Sequence, residues 1–429
     1  MSLIVQKLEQ KIPLWRDEIR QIINNYGDIQ VSSVNISQVF GGIRGVRTLL
    51  CDTSSVPEDK GLIIRGRPIL DLVDYSPEEI YFLLLTGDMP TEDEFHDFKS
   101  DLRSRTHVPG YVWQVLETMP KDSHPMALLS MGLLAMERES VLKKAYENEI
   151  HKKDYWKPML EDALNIVAKI PTLAAGIYRM IYNKGRRIES DPRLDMASDF
   201  IHMLGLIEGH ECRFCRLMRL FLVLHSDHEH GTVSAVSSAT VNSALSDLYY
   251  AVSAGINGLA GPLHGLANQE ALKWILELMH KYGGTPTEEQ IENEIVDTIN
   301  NGLVVPGYGH AVLRVVDPRF TALYNFGEKF CAHDPVFKTV KKVFEITPNV
   351  LKRFEKIKNP WPNVDAISGS LLYHYGLKET NFYTVIFGVS RAMGMTAQAV
   401  IARALGMPII RPKSISTAYI KELIEKSKK

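Results

Sequence analysis

The sequence predicts an all-α protein with a large helical domain, a smaller inserted helical domain and a minor N-terminal β-hairpin region. Three observations predict it. From about residue 75 onward, apolar residues recur at three- and four-residue spacing in segment after segment, the period of helices with one buried face. Strand patterns, short, β-branched and punctuated by glycine, are confined almost wholly to residues 34 to 70. The chain has 429 residues, 45% hydrophobic and 23% charged, enough for a large core and two domains.

Taken in order, residues 5–26 predict an amphipathic helix with Leu8, Ile12, Trp15, Ile19 and Ile22 on one face. VNISQVFGGIRGVRTLLCDTS and GLIIRGRPI then predict one or two small hairpins. Arg44 and Arg47 sit beside Gly41, Gly42 and Gly45, where bare backbone can approach a ligand; the plainer alternative is a basic loop. Ser76-Pro77-Glu78-Glu79 supplies a cap, a first-turn proline and acidic residues to start a helix, and Gly87 to Pro90 stops it. Further helices are predicted at about 93–104, 126–148, 158–183, 194–224, 235–254, 263–281, 287–302, 318–331, 364–375, 388–405 and 416–427. There is no repeat and no long linker, so a domain boundary must fall at short hinges. Gly255–Gly265 and Gly376–Gly388 are the candidates, giving a large domain of 1–266 with 377–429 and a small domain of 267–376.

Composition excludes several function classes. A net charge of -2 builds no field to recruit nucleic acid or a membrane surface. No apolar run reaches the roughly 18 residues of a membrane span. The N-terminal stretch mixes charge with apolar residues, unlike a signal or transit peptide; the expected location is cytoplasmic, or the mitochondrial matrix where a presequence has been removed. Cys51, Cys212, Cys215 and Cys331 are too few for a disulfide framework and fit a reducing compartment. Cys212-x-x-Cys215 after His210 is half of a structural zinc site; in a helical segment the two cysteines simply share a face. No glycine-rich dinucleotide fingerprint follows a strand and no Walker A loop is present, which disfavours nucleotide-dependent redox or phosphoryl transfer.

Five stretches carry chemistry. In NGLVVPGYGHAVLRVVDPRF, Pro306, Gly307 and Gly309 make a tight turn that holds His310. Asp317 and Pro318 then start a helix with Arg319 in its first turn, where an anion is favoured. In HSDHEHG, His225, His228 and His230 surround Asp227; they suit a metal only if they share one helical face, and otherwise a polar pocket. In NGLAGPLHGLANQEAL, glycines bring His264 to a helix N-terminus, where the dipole keeps an imidazole neutral and able to polarise a carbonyl; simple capping is the alternative. In KIKNPWPNVDAISG, Asn363 is the expected cap, and Asp365 falls in the first turn, stabilised as the carboxylate a general base must be. In FGVSRAMGMTAQAVIARALGMPIIRPKS, Arg391 is expected in the first turn of an apolar helix ended by Gly406, with Arg411 on stiff backbone beyond. Each arginine can instead lay its stem on apolar surface with its head in water. Together these residues point to proton abstraction beside a carbonyl on a polycarboxylate.

GPLHGLANQEAL, VVPGYGHAVLR followed by DPRF, KNPWPNVDA, FGVSRAMG and RPKS, in this order and spacing, resemble the citrate synthase family, specifically its dimeric type, from GGIRG to RPKS. The resemblance implies the condensation of acetyl-CoA with oxaloacetate to citrate and CoA, the opening step of the tricarboxylic acid cycle. It implies Asp365 as the base, His264 as the group polarising the thioester, and His310 as the group polarising and protonating oxaloacetate. It assigns oxaloacetate to His228, Arg319 and Arg391, with Arg411 reaching across from a second subunit. Arg44, Arg314, Lys152, Lys356 and Lys358 match positions near CoA. It implies no metal or redox cofactor, a homodimer with shared sites, and no nucleic-acid or membrane partner. Ile367 stands where relatives often carry His, and Lys152 where they often carry Arg, a point charge in place of a fork. The alternatives are a 2-methylcitrate synthase using propionyl-CoA and a non-catalytic helical scaffold.

Overall fold

Helices begin where the sequence supplies caps. The computed structural model describes residues 2–206 and 213–428. Ser76 accepts a hydrogen bond from the Glu79 amide while the Glu79 carboxylate returns to the Ser76 amide, and helix Pro77–Thr86 follows. The same reciprocal cap starts Glu92–Ser104 from Thr91 and Glu288–Asn300 from Thr287. Gly87 and Gly406 end their helices at φ +82° and +69°, the left-handed backbone that glycine reaches without strain.

The centre of the fold is helix Tyr383–Leu405, buried along nearly its whole length. It packs against Trp156–Ile181, Arg213–His225, Val233–Ser243, Leu248–Leu259 and Pro77–Thr86. It is long and apolar enough to cross a membrane, but 94% of its most apolar window is buried inside the protein, so that apolarity builds the core. A second group, Ala267–Lys281, Glu288–Asn300, Pro318–Phe330, Pro335–Leu351 and Asp365–His374, packs largely on itself. It meets the first group where Pro318–Phe330 and Asp365–His374 touch Arg213–His225.

The all-α expectation holds, with differences in detail. Among the described residues, strands are limited to Ser54–Ser55, Ile63–Ile64 and Arg67–Pro68, one antiparallel sheet that pairs Ser54 with Ile64 and Ile64 with Arg67. Residues expected to begin a hairpin instead form helix Ile36–Phe40, because Asn35 and Gln38 cap it reciprocally. The run at 126–148 breaks into Pro125–Ala135 and Val141–Glu147, restarted by Ser140. The run at 235–254 breaks at Leu245 (φ +63°), and Asp247 caps the second piece. The run at 194–224 stops at Gly205 and resumes at Arg213; His210 and Cys212 of the half zinc motif lie outside the described residues. Helices Gly110–Glu117 and Pro335–Leu351 were not foreseen; the second contains Pro348 in its last turn.

Candidate active site

The glycine turn and the start of the Asp365 helix are laced together by backbone. Gly309 N donates to Trp361 O (2.9 Å), Asn363 N to Gly307 O (2.9 Å) and Asp317 N to Pro362 O (3.2 Å). Gly307 (φ +81°) lies so close that a Cβ there would fall 2.5 Å from the Ala366 Cα. Asn363 adds two side-chain bonds, accepting from Asp365 N (2.9 Å) and donating to Gly309 O (2.8 Å). Asn363 stands one residue before the cap position of helix Asp365–His374, which is Val364, rather than at it, but its side chain still caps the Asp365 amide and also reaches the turn that carries His310.

His310 is fixed in one tautomer. Its Nδ1 accepts from the amides of Val312 and Leu313, each at 3.0 Å, so Nε2 carries the proton and is left to donate. Burial, with Arg319 nearby, pushes its pKa down to about 4, so the ring is neutral at pH 7.

His264 lies in a turn two residues before the first cap of helix Ala267–Lys281, not within the helix itself. Its pKa is pushed down to about 4 by burial first and by Arg391 second. Its Nε2 sits 2.9 Å from Ser234 Oγ, a partner that no motif singles out.

The histidine cluster diverges. His225 Nδ1 donates to Phe221 O (2.8 Å), and His230 Nδ1 faces Leu50 O (2.9 Å). His228 turns toward His310, with ring centroids 5.7 Å apart. Burial and Arg319 depress the His228 pKa well below its usual value. Among the described residues no group of His, Cys, Asp or Glu is arranged to hold a metal. Asp227 locks the segment in place: Thr53 and Ser54 hydroxyls and Gln398 Nε2 donate to it (2.5, 2.8 and 2.8 Å), tying the small sheet and the central helix to His228.

The two buried arginines are held differently. Asp317 caps its helix as expected, but its carboxylate also grips Arg319 through Nε (3.0 Å) and Nη2 (2.7 Å). Arg391 is interior to Tyr383–Leu405, more than two turns past its start rather than in the first turn, and only 1% exposed. Its Nε donates to His225 O (3.0 Å) and its guanidinium lies over the Phe387 ring (4.8 Å). Among the described residues no carboxylate pairs with it, and burial pushes its pKa down to about 10. A buried guanidinium in this state favours an anionic ligand.

Asp365 departs from expectation. Burial raises its pKa to about 6, against the opposing pull of Arg319 and Arg391, so it is a base poised near neutrality rather than a strongly stabilised carboxylate. Ile367 is fully buried behind it. Arg314 lies at the rim, donating to Val312 O (2.9 Å), and Asn359 Nδ2 bonds Leu313 O (2.6 Å), which brings the loop of Lys356 and Lys358 alongside. Arg44 lies in an exposed turn and Lys152 in the short turn Lys152–Asp154; among the described residues neither is hydrogen-bonded or ion-paired to this group. Arg411 is exposed on a segment without regular structure.

The structure thus gathers His228, His264, His310, Asp365, Arg319 and Arg391, and leaves Arg411, Arg44 and Lys152 apart. Three neutral imidazoles, a carboxylate with its pKa raised to about 6 and buried guanidiniums form an enzyme site suited to moving a proton beside a carbonyl while holding carboxylates. Residues 42–413 match the model of the citrate synthase C-terminal domain. The chain is 43% identical over 430 residues to the peroxisomal citrate synthase of Saccharomyces cerevisiae, covering 98% of this chain and 93% of that one. It is 41% identical over 431 residues to mitochondrial citrate synthase 4 of Arabidopsis thaliana, covering 98% and 90%. The crystal structure of citrate synthase from Pyrobaculum aerophilum is similar with a TM-score of 0.80 and 27% identity, covering 91% of this chain and 95% of that one. The chain belongs to the citrate synthase family, and it is an acyltransferase of the citrate (Si)-synthase type.

Proposed function

We propose that this citrate synthase condenses acetyl-CoA with oxaloacetate through Asp365, His264 and His310. The observation that carries the assignment is the His310 tautomer: two backbone amides occupy Nδ1, leaving Nε2–H to donate to the oxaloacetate ketone. Asp365 removes a methyl proton from the thioester, which its pKa near 6 permits at neutral pH. With Ser234 donating to its Nε2, His264 presents Nδ1–H to the thioester oxygen and stabilises the enol. The enol carbon attacks the ketone carbon, His310 supplies the proton to the new alkoxide, and water cleaves citryl-CoA to citrate and CoA. Arg319 and Arg391 hold the oxaloacetate carboxylates together with His228.

Arg314, Lys356 and Lys358 at the rim fit the CoA phosphates, with Arg44 and Lys152 completing the set on the substrate-bound form. The fully exposed Leu263 beside His264, with exposed Leu303 and Val304, offers apolar surface for the pantetheine arm. The groups 1–266 with 377–429 and 267–376 act as large and small domains that close on oxaloacetate. Arg411 reaches the site of a second copy in a homodimer. Exposed Ile23, Tyr26, Ile29, Val31, Phe40, Ile409 and Tyr419 at both ends of the chain support such an interface. The peroxisomal and mitochondrial compartments of the relatives support an organellar location; they give no support to a cytoplasmic, bacterial-type one. No metal or redox cofactor takes part in these steps.

A thiol-release assay tests this directly. Oxaloacetate-dependent CoA release from acetyl-CoA is expected, and its absence would leave the scaffold alternative. Preference for propionyl-CoA would favour the 2-methylcitrate alternative, since one methylene shifts selectivity by about 1–3 kcal/mol.

A further inference from the structure

We infer that Asn363 is a positioning residue that sets the distance between the base and the ketone-polarising histidine. The inference rests on Asp365 and His310 holding the roles given above. Among the described residues, Asn363 is the one side chain hydrogen-bonded to both of their elements. Its Oδ1 accepts from the Asp365 amide (2.9 Å), its Nδ2 donates to Gly309 O (2.8 Å), and its own amide donates to Gly307 O (2.9 Å). The first bond fixes where the Asp365 helix begins. The other two fix the turn on which His310 follows Gly309 directly. Gly307 and Gly309 have φ of +81° and +86°, so the turn takes a conformation that L residues seldom hold, and an external clamp selects it.

The two reacting carbons must meet between Asp365 and His310. A displacement of about 1 Å in such a site costs on the order of 100-fold in rate. The side-chain amide suits the task because one end accepts and the other donates; a carboxylate accepts at both ends and a serine hydroxyl is too short to span both partners. Asn363→Asp keeps an acceptor for the Asp365 amide but turns an oxygen on the Gly309 carbonyl. Asn363→Ser keeps only the helix cap.

The test measures kcat, KM for oxaloacetate and melting temperature for Asn363→Asp and Asn363→Ser, beside Asp365→Asn and His310→Ala. The expected result is a kcat lowered by about 30- to 100-fold in both Asn363 variants. KM for oxaloacetate should stay within about threefold, because Arg319 and Arg391 hold the carboxylates elsewhere, and melting should stay near the parent's. Parent-like kcat in either folded Asn363 variant overturns the inference. Failure of both to fold also overturns it, since Asn363 would then be needed for the fold itself. If Asp365→Asn and His310→Ala keep full turnover, it is the assignment of base and polarising group that fails instead.

Discussion

Ser234 Oγ and His264 Nε2 lie 2.9 Å apart, joining helix Val233–Ser243 to the turn before Ala267–Lys281. The bond occupies Nε2, so Nδ1 is the nitrogen proposed to face the thioester. With Ser234 replaced by alanine, the imidazole is free to take the other tautomer and loses its orientation. Ser234→Ala should lower kcat by roughly 10- to 100-fold, the range of one lost buried hydrogen bond. KM for oxaloacetate should hold. Unchanged kcat by thiol release would show that Ser234 does not orient His264.

Asp317 and Arg319 form a buried fork, with side chains 1% and 6% exposed. Removing the carboxylate leaves an uncompensated guanidinium beside Arg391. Asp317→Ala should cost about 3–5 kcal/mol in denaturant unfolding at pH 7. The sign with pH follows from Asp317 itself: Arg319 holds its pKa below the usual carboxylate value even against burial. Its contribution is present above the unfolded-state pKa and is lost as pH falls through the folded one, so the gap between parent and variant should narrow in acid. A gap that widens as pH falls would contradict this.

Asp365 carries the opposite sign. Its folded pKa, raised by burial to about 6, lies above the ordinary carboxylate value. The stability linked to it is therefore present below about pH 4 and lost as pH rises through 6. Asp365→Asn should abolish turnover yet be more stable than the parent at pH 8, by on the order of 1–3 kcal/mol, with the gain gone near pH 4. In the parent, kcat/KM should fall about tenfold per pH unit below 6, where the base is protonated. His264 and His310, both at about 4, stay neutral and add no limb above pH 5. A flat profile between pH 5 and 7 would assign the base elsewhere.

Arg411 is exposed within its own chain, while His228, Arg319 and Arg391, the residues proposed to hold oxaloacetate, are buried. Mixing Arg411→Ala chains with His310→Ala chains, each inactive alone, separates two arrangements. If Arg411 serves a second copy, one site of each heterodimer carries both defects and the other carries none, so up to half the parental activity should return. If it serves its own chain, every site keeps one defect and mixing restores nothing.

The helical class, the caps at Ser76 and Asp317, and the His310 turn were legible in sequence because each depends on a few adjacent residues. The resemblance in GPLHG, GYGH and PNVDA singled out three of the gathered side chains, His264, His310 and Asp365, for the same reason: motifs are local. Helix breaks at Leu245 and Ser140 escaped because apolar spacing continues across them, whereas the breaks answer to packing and caps. Arg391 was placed too near its helix start because a fully apolar face gives no signal of where a buried helix begins. Tertiary structure alone decided the charge states. That Asp365 rises to about 6 while Asp317 falls depends on which guanidinium each carboxylate touches and how much water it loses. Those partners come from segments far apart in the chain, or from side-chain directions that residue spacing leaves open, so only the folded chain sets the field in which each proton is held.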